Sequence, residues 1–327
     1  MLDDIIKSNL NDKNIIITGG FGYIGSALVD HLKLYECNIV CVSRRNVPKK
    51  QGVRSWTLDL TKESAWKKIV DYADIIFHLS GNTSIPVADQ DPKLNLIDSL
   101  VPVINLIHAA KDSKKTSRVV FASTVTLYGL TEILPVSEEV KPDPITTYDL
   151  HKLCIEQHLE MATKNKIISA TSLRLSNVYG PSLGRSSAND RGILNKVTES
   201  AINGKDITIY GEGNYMRDYI YIDDVVSAFI NTAITDNTIG KVLNVTSGVG
   251  HTIKDAFSLV SDHVAKLTGK KVTINHIEWP KGISMIERRN FIGNADELKR
   301  ITTWQPNTLF EDGIDIIVKG FWREKNC

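Results

Sequence analysis

No surplus of charge marks this chain: 39 Lys and Arg stand against 38 Asp and Glu in 327 residues, a net charge of +1. That balance gives no sign of a surface for nucleic acid or for an anionic membrane. The four cysteines, Cys37, Cys41, Cys154 and Cys327, are too few to staple so long a chain. They also lack C-x-x-C spacing, so they read as reduced thiols, and no metal is expected. No apolar run is long enough to cross a bilayer. The acidic start, Met1-Leu2-Asp3-Asp4, lacks the basic region and apolar core of a signal peptide, so a cytoplasmic location is expected. Repeats and low-complexity linkers are missing too. What is present is 42% hydrophobic and 24% charged residues, enough for a sizeable core, in a chain longer than one ordinary domain.

The stretch Thr18-Gly19-Gly20-Phe21-Gly22-Tyr23-Ile24-Gly25 follows the apolar run Asn14-Ile15-Ile16-Ile17 and leads into a helical pattern. Gly20, Gly22 and Gly25 make G-x-G-x-x-G, which suits a dinucleotide: a tight turn, close approach of a pyrophosphate, and a helix N-terminus aimed at the anion. Strands are expected at 14–18, 38–43, 54–58, 74–79, 118–123 and 168–175, and helices at 24–35, 62–72, 94–112, 144–164 and 191–203. This alternation predicts an α/β fold, a Rossmann-type doubly wound parallel sheet. Residues 1–180 are assigned to the NAD(P)-binding domain, with strand–helix pieces at about 205–250 returning to it. Residues 181–327 are assigned mainly to a smaller C-terminal substrate-binding lobe.

Gly19, Gly22, Tyr23 and Ile24 are the expected cofactor contacts of the glycine loop. An NAD protein usually places Asp or Glu at the end of the second strand for the ribose 2′-OH. Here that position holds Ser43-Arg44-Arg45, no acid follows before Leu58, and Lys49, Lys50 and Arg54 add positive charge. An arginine fork suits the 2′-phosphate, so NADP(H) is favoured over NAD, against the plain alternative of a solvated basic loop. Asp59 and Leu60 follow the third strand; Asp59 either contacts adenine or starts the next helix. Leu79, Ser80 and Gly81 end the fourth strand, where small residues let the backbone approach a cofactor. His78 reads as a core histidine, and Asp98 and His108 receive no chemical role.

Strand five ends at Ser123-Thr124, and Tyr148 and Lys152 stand four apart on the following helix, one turn apart on one face. A nearby ammonium favours phenolate and makes Tyr148 a usable proton donor or acceptor. Thr124 can hydrogen-bond the same substrate oxygen. These three are the candidate catalytic residues.

Together the chain resembles an extended short-chain dehydrogenase/reductase of the group acting on nucleotide-diphosphate sugars. The likeness is carried by the glycine loop, Ser123-Thr124-Val125-Thr126-Leu127-Tyr128-Gly129, Tyr148-x-x-x-Lys152, Arg174-Leu175-Ser176-Asn177-Val178-Tyr179-Gly180-Pro181, Arg217 to Asp224, and Trp304-Gln305-Pro306. The resemblance implies that Tyr148 is the acid/base, that Lys152 binds the nicotinamide ribose and tunes Tyr148, and that Thr124 positions the substrate oxygen. It further implies that Asn177 and Arg217 hold the nucleotide diphosphate, with Arg288 of the pair Arg288-Arg289 a weaker candidate. The alternative for Arg217 is a salt bridge to Asp218 or Asp223. Dimers through the helices at 94–112 and 144–164 are common in this family, which makes a homodimer an open expectation.

In such enzymes dehydratases and decarboxylases carry an acid just after the strand-five hydroxyl, whereas here Val125 and Thr126 follow Thr124. Reductive isomerases use Cys and His where this chain has Thr126 and Ser182. A 4-ketoreductase using NADP(H) and a 4-epimerase keeping NAD remain, with the reductase preferred on Ser43-Arg44-Arg45. A silent NADP-binding module is disfavoured by the intact Thr124, Tyr148 and Lys152.

Overall fold

A computed structural model describes residues 2–45, 51–181 and 192–326. Helix α1 (Leu2–Leu10) precedes β1 (Asn14–Thr18), α2 (Tyr23–Leu32), β2 (Asn38–Ser43), β3 (Arg54–Thr57), α3 (Glu63–Tyr72) and β4 (Ile75–His78). Then come α4 (Ile85–Gln90), α5 (Pro92–Asp112), β5 (Arg118–Thr124), α6 (Thr147–Lys164) and β6 (Ser169–Leu175). The second half runs β7 (Asn177–Tyr179), α7 (Ile193–Ile202), β8 (Ile207–Tyr210), β9 (Met216–Tyr221), α8 (Ile222–Ile234), β10 (Val242–Val245) and β11 (Gly250–Thr252). It closes with α9 (Ile253–Thr268), β12 (Ile274–Ile277), α10 (Asp296–Ile301) and α11 (Phe310–Asn326).

Seven strands form one sheet in the order β10-β6-β5-β4-β1-β2-β3. Every pairing in it is parallel, with Thr18 opposite Val42 on one side and His78 on the other. The chain runs outward from β1 to β3 and then crosses to β4, so the order reverses between β1 and β4. The crevice at the carboxyl ends of those two strands is where such sheets take their ligands. The expected α/β architecture is therefore the observed one.

Continuous burial of Ile15, Ile16 and Ile17 explains why β1 lies inside the sheet, between β4 and β2: its side chains feed two cores at once. Ile15 and Ile17 join Leu28, Val226 and Phe229 on the α2–α8 face, while Ile16 joins Trp66, Leu106 and Leu159 on the α3–α5–α6 face. Each such buried side chain contributes about 1.5–3 kcal/mol of transfer free energy. Element ends follow local chemistry. Helix α2 stops at Leu32 rather than 35, leaving Leu34 exposed, and α6 starts at Thr147 rather than 144 because Pro144 precedes the N-cap Thr146. Beyond β6, strands β11, β9 and β7 form a small sheet and β12 pairs with β8. Strand β10 returns to the edge of the large sheet beside β6, and α8 packs on α2.

Candidate active site

The turn after β1 is built on glycines that leave no room for a side chain. Gly19 has φ +73°, and a Cβ there would lie 3.0 Å from the backbone nitrogen of Ser80. A Cβ on Gly25 would sit 2.1 Å from the Gly19 carbonyl oxygen, so α2 approaches the loop only with glycine at that point. Gly22 is the N-cap of α2, and it brings no side chain to cap that helix end. The first N–H groups of α2 therefore form a cradle for an anion. Gly22, Tyr23 and Ile24 are half-buried along this cradle, and the Tyr23 hydroxyl donates to the Gly180 carbonyl oxygen at 3.0 Å. Leu79 and Ser80 border it: Leu79 N–H donates to Thr18 O at 3.1 Å and Ser80 Oγ to Thr18 Oγ1 at 3.0 Å. Gly81 follows with φ +148°. Small, half-buried and backbone-rich, this surface fits a dinucleotide diphosphate.

The tip of β2 carries Ser43, Arg44 and Arg45 in place of a carboxylate. Ser43 Oγ accepts from Arg45 N–H at 3.1 Å, and Arg44 is exposed. Arg44 donates to Asp98, on α5, at 2.9 Å, a partner with no signal in the local sequence. Lys49 and Lys50 lie outside the described residues, as does Ser182. Asp59 does not begin the next helix, whose N-cap is Lys62. Its carboxylate accepts from Thr61 N–H at 3.0 Å and Thr61 Oγ1 at 2.8 Å, bonds that hold its pKa below the usual range. Leu60 is buried, and its carbonyl accepts from Trp66 Nε1 at 2.9 Å.

Behind the crevice, His78 is buried, with Nδ1 2.8 Å from Thr18 Oγ1 and its ring between Trp66 and Phe121. Burial, and secondarily the charge of Lys152, lowers its pKa to about 3. It is a neutral core histidine whose Nε2 has no partner among the described residues. His108 pairs with Glu63 on the surface at 2.9 Å.

The structure brings Thr124, Tyr148 and Lys152 together. Thr146 caps α6 by accepting from Asp149 N–H at 3.2 Å, which fixes the first turn and sets Tyr148 beside the end of β5. Thr124 stands beside the Tyr148 phenol, and its hydroxyl works to lower the phenol's pKa. Lys152 Nζ donates to Ala122 O at 2.7 Å and lies 5.7 Å from the centroid of the Tyr148 ring. Burial depresses the Lys152 pKa to about 8, against the Glu156 carboxylate, which raises it. Burial pushes the Tyr148 phenol well above its ordinary value, the Asp149 charge adds to this, and the Thr124 hydroxyl opposes it. At neutral pH the pair is thus a phenol beside an ammonium, a proton donor ready for a carbonyl oxygen. Glu156, one turn below Lys152, is occupied by Arg174 at 2.6 Å and by Ser123 at 2.5 Å.

Two buried guanidinium groups form a positive cluster between β9, β7 and residues 286–289. Arg217 donates to the carbonyl oxygens of Met216 at 3.0 Å, Glu287 at 2.7 Å, and Arg289. Burial first, and Arg289 second, bring its pKa down to about 9. Neither Asp218 nor Asp223 neutralises it. Asp218 accepts from Ser176, Ser247, Gly248 and Gly293, and Asp223 faces His31 at 3.9 Å. Among the described residues the Glu287 carboxylate alone pairs with Arg217, at a loose 3.9 Å. Asn177 Oδ1 accepts from Arg289 at 3.3 Å, whereas Arg288 lies 5.6 Å from the Trp279 ring centroid. Buried Arg289 therefore, rather than Arg288, stands beside Asn177, and its Nε has no partner among the described residues. Desolvated cations so poorly matched by carboxylates call for an anion.

Sequence reasoning also missed Asp149. Buried on α6, its carboxylate accepts from Thr126 and from Thr146 Oγ1 at 2.7 Å. An acid absent from the residues after Thr124 thus arrives from the next helix, behind Thr126. Its neighbour Tyr148 was the only residue of that turn with a chemical pattern to betray it.

The family model described as NAD dependent epimerase/dehydratase matches residues 15–246. The chain belongs to that family. It is an NAD(P)-dependent enzyme of the extended short-chain dehydrogenase type. UDP-glucuronic acid decarboxylase 1 of Danio rerio is 25% identical over 327 residues, 97% of this chain and 74% of that protein. UDP-glucose 4-epimerase of Thermotoga maritima, solved with UDP-glucose, superposes with a TM-score of 0.84 at 25% identity, covering 96% of this chain and 99% of that one. UDP-glucose 4-epimerase of Thermus thermophilus, solved with NAD, gives 0.80 at 25% identity, covering 94% of this chain and 98% of that one.

Proposed function

We propose that this family member is an NADP(H)-dependent reductase of a nucleotide-diphosphate 4-keto sugar, working at sugar C4. The observation that carries this reading is the tip of β2, where Ser43, Arg44 and Arg45 occupy the place of the ribose-binding carboxylate. The nicotinamide, when bound, supplies the hydride. Tyr148 gives the proton to the oxygen at C4, Thr124 positions that oxygen, and Lys152 holds the nicotinamide ribose and keeps positive charge beside the phenol. Gly19, Gly22, Tyr23, Ile24, Leu79, Ser80 and Gly81 line the dinucleotide, with Asp59 and Leu60 on the adenine side. Asn177 and Arg217, joined by Arg289, hold the diphosphate, and Arg288 lies at the rim. Residues 181–327 mainly form the lobe that selects the sugar nucleotide.

A 4-epimerase with resident NAD is the second reading, favoured by the near full-length likeness to the Thermotoga maritima UDP-glucose 4-epimerase. Oxidation of NADPH followed by its absorbance with a nucleotide-diphosphate 4-keto-6-deoxy sugar separates the two. The reductase consumes NADPH with the ketone, in preference to NADH. Interconversion of UDP-glucose and UDP-galactose without added cofactor would replace the reductase reading by the epimerase.

A further inference from the structure

Beside Tyr148, the hydroxyls of Thr124 and Thr126 form a line that ends on a carboxyl group. Thr124 is the hydroxyl that acts on the Tyr148 phenol, working to lower its pKa. Thr124 Oγ1 lies 2.8 Å from Thr126 Oγ1, and Thr126 Oγ1 donates to Asp149 Oδ1. Thr124, Thr126 and Asp149 are all buried. Each threonine hydroxyl has one proton, and an ionised Asp149 only accepts. Thr126 must then donate to Asp149 and cannot donate to Thr124, so Thr124 donates to Thr126. Thr124 Oγ1 also accepts from Thr126 N–H at 3.2 Å, which leaves it one lone pair. With Asp149 ionised, both threonine protons are committed toward the carboxylate, and Thr124 offers no donor to a ketone oxygen.

A proton on Asp149 reverses the line. The carboxyl donates to Thr126, Thr126 to Thr124, and Thr124 is free to donate outward while Tyr148 turns its own proton to the substrate. We propose that Asp149 is the positioning residue of this site: it sets the direction of the threonine hydroxyls and is the terminus from which the Tyr148 proton is replaced. The proposal rests on the reading of Tyr148 as acid/base. In the reductive direction the Tyr148 O–H bond breaks as its proton joins the alkoxide oxygen formed at C4 by hydride from the nicotinamide. The Thr124 proton then passes to the phenolate, the Thr126 proton to Thr124, and the Asp149 carboxyl proton to Thr126. One proton has moved from Asp149 to the product, leaving a carboxylate, and no electrons move along the line. Solvent restores the carboxyl between turnovers.

Several groups around Asp149 set its balance. Burial raises its pKa, the hydroxyls of Thr126 and Thr146 and the charge of Arg289 lower it, and Asp89 raises it. Burial prevails, so the carboxyl is held above its ordinary pKa and its protonated form is brought closer to reach.

The test compares hydroxyl with shape at position 126. Thr126→Val keeps the volume and removes the relay, whereas Thr126→Ser keeps the hydroxyl. With NADPH and a 4-keto sugar nucleotide, Thr126→Val and Asp149→Asn should each lower kcat about 100-fold, the scale of a lost general acid–base path, with KM little changed. Thr126→Ser should stay within a few-fold of the parent. Single-turnover hydride transfer in mixtures of light and heavy water should give a bowed proton inventory in the parent and a straight one in Thr126→Val. Full turnover in Thr126→Val, or equal losses in the Val and Ser variants, would overturn the relay. A Tyr148→Phe variant that keeps turnover would instead overturn the acid/base reading beneath it. Should Thr126→Val not fold, the parent inventory and Asp149→Asn decide: a straight parent inventory with an active Asn variant rejects the proposal.

Discussion

Lys152 Nζ lies 2.7 Å from the Ala122 carbonyl oxygen and 5.7 Å from the centroid of the Tyr148 ring, so the end of β5 holds the ammonium beside the phenol. Charge and proton donor are therefore positioned by the protein itself. Replacing Tyr148 with Phe should lower kcat by roughly 10²–10⁴, the range for general acid–base catalysis, while NADPH affinity stays within a few-fold. Turnover rates and a cofactor titration check this, and comparable turnover in the variant would reject the assignment.

At the tip of β2, Arg44 is held by Asp98 at 2.9 Å. A 2′-phosphate would compete for that guanidinium. Arg44→Ala combined with Arg45→Ala should weaken NADPH by about 1–3 kcal/mol, as expected for lost bonds to a charged group, and leave NADH nearly unaffected. Parallel titrations with both nucleotides measure this, and equal losses would refute the NADP reading.

Among the described residues, Arg217 is engaged by backbone carbonyls and by the Glu287 carboxylate at 3.9 Å. Arg217→Ala should mainly raise the KM for the sugar nucleotide, by roughly 10-fold or more for a lost charged contact. Arg217→Lys, which keeps the charge but not the fork, should fall between parent and Ala. An unchanged KM in both would make Arg217 structural.

His78 gives a pH signature. Its pKa is near 3 when folded, against the ordinary imidazole value of about 6.5 unfolded. Between these values the unfolded chain binds a proton that the folded chain refuses. Stability therefore falls as pH drops from about 6.5 toward 3, and it is recovered above 6.5. Urea unfolding midpoints from pH ~7 to ~4 should fall less steeply in His78→Gln than in the parent. Parallel slopes would show that His78 does not contribute this effect.

The repeating fold was legible because β1, β2, β4 and β5 carry short apolar runs separated by helical patterns, and the glycine loop has fixed spacing. The line Thr124, Tyr148 and Lys152 was legible because a helix places residues four apart on one face. Arg44–Asp98 and Arg289–Asn177 were not, since each joins residues from elements far apart in the chain. Arg288 and Arg289 look alike in sequence, and only the turn at 285–288 decides which one is buried. Asp149 was hidden for a different reason: a carboxylate at the third position of a helix usually serves the helix end alone, and its bond to Thr126 needs the fold.

In a reductase, NADP(H) is a substrate that comes and goes with each turnover. Denaturing the purified protein and identifying the nucleotide it releases tests this directly. The reductase should release no nucleotide, or NADP(H) that prior washing removes. Near-stoichiometric NAD that survives washing would contradict it and establish a self-recycling epimerase instead.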